Sequence, residues 1–434
     1  MNPSAHSDRR RTTALAVVLV GVLCAATAQA TIFSGRVGIS SYLWERSETD
    51  TTDTRHLQNT GTLSLQLARI GGRDLMVTTS VRGRYDARNR GDNVDDYRLY
   101  NLNFRWRDIG DAVDLSGGRH RINWPTGTVL LDGGSAAIHP FRQLTLEGFV
   151  GTHAPEDGVV DQTAWDEGRT YGGQLRYTTG ALGIIAVAFS ELHRARVYED
   201  IEVDDLAARR VGIDWRRTIQ RFGSLYGNLV YDEPTRRIGR GHLSLRWRTS
   251  PTVSVHGQFR YRRPNIAYNS IMWVFSDADY YEGRIRFNVR LNSHWTANAG
   301  GALVDLGDDD ARRFDLGLSH RYGSAMLHIK AGASGNTLGL SGETLIPLSP
   351  KWLLRAGTNY ASYELYEDQN ESNWAVATWA GVRWSVAPTA NVDLEAQLLS
   401  ENITTQSDFA GDESDFRVIA RVSWWFFNRL GNGS

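Results

Sequence analysis

The stretch Glu282–Leu291, EGRIRFNVRL, has a period of two. Gly283, Ile285, Phe287, Val289 and Leu291 fall on one side of an extended chain, and Arg284, Arg286, Asn288 and Arg290 fall on the other. One face is oily and the other cationic. The same two-faced pattern recurs along the chain. Tyr100, Leu102, Phe104 and Trp106 oppose Asn101, Asn103, Arg105 and Arg107; Val211, Ile213 and Trp215 oppose Arg210, Asp214 and Arg216. Val253, Val255, Phe259 and Tyr261 oppose Ser254, His256, Gln258, Arg260 and Arg262, and Phe314, Leu316 and Leu318 oppose Arg313, Asp315 and Ser319. Helical spacing wins nowhere over a comparable length. A single packed core cannot absorb so many one-faced strands, whereas lipid around a closed sheet can. The pattern therefore predicts an all-β chain whose oily faces meet hydrocarbon and whose polar faces look into a lumen.

The first residues are expected to be removed. Arg9, Arg10 and Arg11 form a charged segment, Ala14–Leu23 is a short apolar run, and Ala28-Gln29-Ala30 has the small-residue spacing of a signal cleavage site. The reading is a signal peptide over 1–30 and one barrel domain over 31–434. Cleavage takes with it Cys24, the sole cysteine, so the mature chain forms no disulfide. The formal net charge is −1, and the basic residues are nearly all arginine, with lysine only at Lys330 and Lys351. A mean hydropathy of −0.38 is that of a water-soluble chain. It is equally that of a transmembrane barrel, half of whose strand residues are polar, so periodicity decides between the two.

Connections alternate in length. The short ones, such as Gly71-Gly72, Thr249-Ser250-Pro251, Asn292-Ser293-His294 and Ala387-Pro388-Thr389-Ala390, carry tight-turn residues; the longer ones are acidic, as in SETDTTD near 47–53 and DFAGDESD near 408–415. Short turns facing the periplasm and long loops facing outward describe an up-and-down outer-membrane barrel of about 18–20 strands. That count treats Leu144–Gly151 as doubtful and Arg121–Arg169 as one long inward-folded loop. Leu182–Glu191 is apolar on both faces. The last strand alternates Phe416, Val418, Ala420, Val422, Trp424 and Phe426 with polar neighbours, the kind of C-terminal strand that barrel-assembly machinery reads.

A closed barrel of this size leaves an aqueous channel. The polar faces then place Arg82, Arg84, Arg105, Arg107, Arg210, Arg216, Arg246, Arg260, Arg262, Arg284, Arg286, Arg290 and Arg417 along the pathway, against few inward acids, chiefly Asp214, Asp315, Glu343, Asp393 and Glu395. Such a lumen, walled by low-dielectric lipid, attracts anions. Guanidinium groups also bind carboxylate or phosphate through paired hydrogen bonds.

Val113–Ile138 reads VDLSGGRHRINWPTGTVLLDGGSAAI. Its Gly-Gly-Arg-His-Arg-Ile followed by Leu131-Asp132-Gly133-Gly134 resembles the "GRQ … DG" pattern of alginate-export-like barrels and related exopolysaccharide-secreting outer-membrane proteins, with His120 standing where the pattern has glutamine. The resemblance implies a monomeric barrel with an arginine-lined conduit for an anionic polysaccharide, and Arg119, Arg121 and Asp132 as constriction residues.

The connection Arg263–Tyr281 contains Ile271, Trp273 and Phe275, too apolar for a freely solvated loop, and is predicted to fold into the mouth as a lid or to pack over the lip. No H-E-x-x-H, C-x-x-C, G-x-S-x-G or P-loop pattern appears, so neither an enzyme nor a cofactor or metal site is expected. The readings left standing are an export channel for an anionic polysaccharide, a diffusion porin for small anions, and an adhesion barrel plugged by its loops. Expected partners are outer-membrane lipid and lipopolysaccharide, the assembly machinery, the anionic solute and periplasmic export components; nucleic acid is not among them.

Overall fold

The computed structural model describes residues 31–430 apart from 48–52, 88–95, 156–159, 195, 199–200, 204–205, 221, 265–278, 308, 333–334, 365–372 and 404–410. The strands are β1 (Thr31–Ser47), β2 (Asp53–Ala68), β3 (Leu75–Asp86), β4 (Asp96–Ile109), β5 (Val113–Trp124), β6 (Gly127–Phe141), β7 (Leu144–His153), β8 (Arg169–Thr179) and β9 (Gly183–His193). There follow β10 (Arg196–Tyr198), β11 (Ile201–Val203), β12 (Leu206–Ile219), β13 (Gly223–Asp232), β14 (Arg237–Arg248), β15 (Val253–Arg262), β16 (Tyr280–Arg290) and β17 (Trp295–Asp305). The last are β18 (Asp310–His320), β19 (Gly323–Gly332), β20 (Thr337–Ser349), β21 (Trp352–Tyr363), β22 (Asn373–Ala387), β23 (Ala390–Ile403) and β24 (Gly411–Leu430).

Each strand pairs antiparallel with the next, β9 passes directly to β12, and β24 closes on β1, which makes one 22-stranded barrel; β10 and β11 form a separate hairpin between two barrel strands. The count exceeds the 18–20 expected from the sequence. Leu144–Gly151 lies within a genuine strand, β7, and the supposed loop from Arg121 to Arg169 contains the whole of β6 as well. β6 escapes a periodicity search because its middle, Gly133-Gly134-Ser135-Ala136-Ala137, has no large side chains to alternate.

The face assignment follows the alternation. Phe287 and Leu102 are 42% and 36% exposed, whereas Asn103 on the opposite face is 6% exposed. Ile213, Leu229, Leu243, Leu316 and Leu340 continue the exposed apolar belt. Aromatic side chains mark its edges. Trp295, Trp352 and Trp384 stand at the short-turn end and Tyr97, Tyr231 and Tyr281 at the loop end, all exposed, as interfacial girdles are. The Trp352 and Trp384 rings stack at 5.5 Å. A closed antiparallel barrel with an oily belt satisfies every spanning backbone group without an edge, the condition for β-structure to cross lipid. This is a barrel of a Gram-negative outer membrane.

Local departures from strict alternation have visible causes. The β3–β4 register shifts by one between Ser80 and Val81, leaving Tyr100 in a bulge. Its ring therefore turns to the lumen side, 5.5 Å from the Arg82 guanidinium and in one space with Arg36 and Arg421, rather than outward with Leu102 and Phe104.

Candidate functional site

The wall opens at β5. Its pairing with β4 ends at Leu102↔Arg119, while its pairing with β6 runs on to Trp124↔Gly127. β6 in turn meets β7 only from Leu131↔His153 onward. The tip of the β5–β6 hairpin is thus bonded to neither neighbouring strand, and its turn, Trp124-Pro125-Thr126-Gly127, touches the wall elsewhere. The Pro125 carbonyl accepts hydrogen bonds from Asn228 Nδ2 of β13 and Arg240 Nη2 of β14, both at 3.1 Å. Gly212 of β12 lies against it so closely that a Cβ there would stand 2.6 Å from the Pro125 carbonyl carbon and 2.7 Å from Thr126 N. Three barrel strands, β7 to β9, separate this contact from the base of the hairpin. The hairpin reaches it by folding into the lumen, and it narrows the bore.

Its base is held by glycine, one ion pair and a small core. Gly118 sits at φ +100°, and Gly133 and Gly151 approach so closely that a Cβ on Gly133 would lie 2.6 Å from the Gly151 Cα. That crease lets the sheet bend inward. Arg119 grips Asp132 with two bonds, Nε–Oδ1 at 2.7 Å and Nη2–Oδ2 at 2.6 Å, and donates to Leu99 O and Asp161 O across the opening between β4 and the segment after β7. Both partners are almost fully buried. Ile122, Leu131 and Phe149 form the core cluster, with Trp124 packed 4.7 Å from Phe149 and its indole N–H on Glu147. On the far wall Ala186 and Ala188 are buried, and Ala188 pairs with Gly212. This explains why β9 is apolar on its inner face too: the hairpin turn, not water, occupies that side.

The arginines expected along the pathway fall into two groups. In the first, Arg82 and Arg84 converge with Arg98 on Asp96; Arg210 pairs with Asp232, Arg260 reaches Glu282 at 4.0 Å, Arg284 holds Asp315 at 2.6 Å, and Arg417 holds Asp415. Arg119 and Asp132 belong here as well. They do not line an open constriction but neutralise each other at its root. Inward acids are more numerous than the sequence reading allowed, because Asp96, Glu147, Asp232 and Glu282 join the five expected ones.

The second group has no carboxylate within ion-pair distance among the described residues. Arg246 and Arg286 flank His256 in the register, with Arg260 and Arg284 near the same ring, and Arg290 continues the row toward the short-turn end. Arg216 and Arg262 lie over the rings of Tyr226 and Tyr280. Arg105, Arg107 and Arg121 line a space of about 450 Å³ beneath the hairpin, shared with the paired Arg176 and Glu147. Arg121, on β5, lines this space with no carboxylate within ion-pair distance among the described residues.

Ile271, Trp273 and Phe275 lie outside the described residues. The sequence reading missed Gly212, Pro125, Asn228 and Arg240. Pro-Thr-Gly is a tight-turn signal and marked a hairpin tip where a long loop was expected; nothing local marked its docking partners.

No family model matches the chain, nor does any curated protein in the comparison. Among solved structures the barrel is similar to the translocation pore of the P pilus usher PapC, at 9% identity over 91% of this chain and 99% of that one with a TM-score of 0.47. It is also similar to Acinetobacter baumannii OccAB3, at 10% identity, 91% and 99% coverage and a TM-score of 0.42, and to Pseudomonas aeruginosa OpdQ, at 9% identity, 91% and 99% coverage and 0.45.

Proposed function

We propose that this barrel is a passive channel for anionic solutes, narrowed by the β5–β6 hairpin. The observation that carries the reading is the set of inward guanidiniums with no carboxylate partner among the described residues, Arg246, Arg286 and Arg290 on one wall and Arg105, Arg107 and Arg121 beneath the hairpin. Twenty-two strands spaced about 4.8 Å apart and tilted about 40° enclose a backbone radius of roughly 20 Å. Two opposing layers of side chains fill only about 10 Å of that width. Water fills the remainder, and the low-dielectric wall focuses the positive potential into it. Export of an anionic polysaccharide is the more specific form of this reading. It is supported by the resemblance carried by Val113–Ile138, which is the stretch that forms the constricting hairpin.

Reversal potentials across planar bilayers test the selectivity. The triple variant Arg246→Glu, Arg286→Glu, Arg290→Glu should turn anion preference into cation preference, and an unchanged sign would refute it. Absent single-channel conductance in the unaltered protein would instead favour a barrel plugged by its loops. Passage of a polyuronate, but not of its uncharged reduced form, through barrel-bearing vesicles would support the export reading.

A further inference from the structure

Large aromatic side chains stand on the water-facing side of the wall that runs from β24 through β1 to β4. Alternation puts Tyr42 and Trp44 of β1 and Trp425 and Phe427 of β24 on the face of Arg36 and Arg421, opposite the lipid-facing Ile39, Val422 and Trp424. The bulge in β4 adds the Tyr100 ring to the same face. Tyr100, Trp425 and Phe427 are 40%, 37% and 71% exposed. Their exposure is to the lumen, where no hydrocarbon covers them, and wet apolar surface is unfavourable in proportion to its area. The rings follow one another along the bore. Near the loop end Trp44 stacks on His56 at 4.0 Å and lies 6.3 Å from Tyr42. Tyr100 and Trp425 come next, both beside Arg36, and Phe427 stands at the turn end. From Trp44 to Ser34, the register partner of Phe427, β1 rises about 33 Å.

Between the rings lie guanidiniums and hydroxyls. Arg36, Arg82 and Arg421 share a space of about 380 Å³ with Tyr100 and a floor of serine and threonine side chains. Arg36 lies 5.1 Å over the Trp425 ring and donates to Ser423 Oγ at 3.3 Å. Neither Arg36 nor Arg421 has a carboxylate within ion-pair distance among the described residues. The nearby acids are held by other cations. Asp96 takes Arg82, Arg84 and Arg98, and Asp393, the register neighbour of Arg421, takes Arg383 at 2.7 Å and Arg355 at 3.9 Å. The β5–β6 hairpin crosses to β12–β14 and closes off the sector of β7 to β9, which leaves this wall on the open side of the bore. We propose that the wall is a binding track for a chain of acidic pyranoses, with sugar faces on Tyr42, Tyr100 and Trp425 and ring carboxylates on Arg36 and Arg421. A pyranose has an apolar face of C–H groups that packs on an aromatic ring, and a rim of hydroxyls that bonds serine and threonine; a small inorganic anion uses neither. Its carboxylate takes the paired N–H groups of a guanidinium. The inference rests on the proposed water-filled, anion-admitting lumen and adds the class of anion that lumen binds.

Isothermal titration calorimetry on the detergent-solubilised full-length barrel reads binding without conductance, so its result is separable from the reversal potentials. The probe is an oligouronate of defined length, and the unaltered barrel should bind it. Arg36→Gln with Arg421→Gln should weaken binding about a hundredfold, on the footing of about tenfold per charged hydrogen-bonding group. Tyr100→Leu keeps apolar bulk and every charge but removes the flat face, and should weaken binding about fivefold. It keeps the test decisive if the double variant fails to fold by heat-modifiable gel mobility. The carboxyl-reduced oligomer and an oligoglutamate of equal charge should each bind the unaltered barrel about tenfold more weakly than the oligouronate. Equal binding of the oligoglutamate would overturn the proposal by assigning the wall to anions in general, and equal binding of the reduced oligomer by assigning it to neutral sugars. Parental affinity in either variant, or no binding of the oligouronate at all, would also overturn it. Retained binding in a barrel without anion preference would refute the channel reading alone.

Discussion

Replacing Gly212 with alanine adds one methyl group to the inner wall and changes no charge. That methyl would lie 2.6 Å from the Pro125 carbonyl carbon and 2.7 Å from Thr126 N, both backbone atoms that no rotamer change can move aside. Restoring ordinary van der Waals separation requires the turn to retreat by about 1 Å, since carbon contacts settle near 3.5–4.0 Å. The two bonds that dock it, from Asn228 and Arg240 at 3.1 Å, would then stretch past hydrogen-bonding distance. A neutral donor contributes about 1 kcal/mol and a charged one about 2 kcal/mol, so the docked hairpin loses about 3 kcal/mol relative to the undocked one. Its docked-to-undocked ratio falls roughly a hundredfold. In planar bilayers Gly212→Ala should raise mean single-channel conductance and add flicker, with the reversal potential unaltered. Gly257→Ala, whose added methyl meets nothing within 4 Å, should behave as the parent. If the folded Gly212→Ala channel keeps parental conductance and noise, the hairpin does not limit the bore.

Other consequences concern stability and screening. Arg119→Met leaves Asp132 buried without its partner and should cost about 3–5 kcal/mol in urea unfolding followed by tryptophan fluorescence; adding Asp132→Leu should recover most of it. Phe287→Arg puts a charge on the lipid face and should destabilise by about 2–4 kcal/mol if it lies near the bilayer midplane. Asn288→Arg, facing the lumen on the same strand, should fold into vesicles like the parent. Anion preference should be strong at 0.01 M salt and nearly vanish at 1 M, where the Debye length shrinks from about 30 Å to about 3 Å. A preference insensitive to salt would place selectivity in direct binding rather than in the lumen field.

Much of the fold was legible because alternation is a local property. Phe287 and Arg286 declare their faces by chemistry alone, and the strand ends follow from Asn292, Pro251 or Gly323 at the turns. β6 was illegible for the same reason inverted: glycine and alanine carry no face preference, so a strand built to crease leaves no periodic trace. The candidate site was legible by halves. Arg246 and Arg286 could be assigned to the lumen side from parity, whereas Arg121 entered only through the resemblance carried by Val113–Ile138, and parity does not say which arginines keep a usable charge.

Alternation along the chain is enough to place a β-barrel across an outer membrane with arginine inside, because each residue's preference for water or hydrocarbon is intrinsic and repeats every second position. Which cations are cancelled and where the bore narrows depend instead on contacts made through space. Asp315 takes Arg284 from two strands away, across the small Gly300 and Ala302, and Pro125 docks on residues more than a hundred positions distant. Those partners are chosen by the closure of the sheet and by steric room at single glycines, which operate through space and leave no signature along the chain.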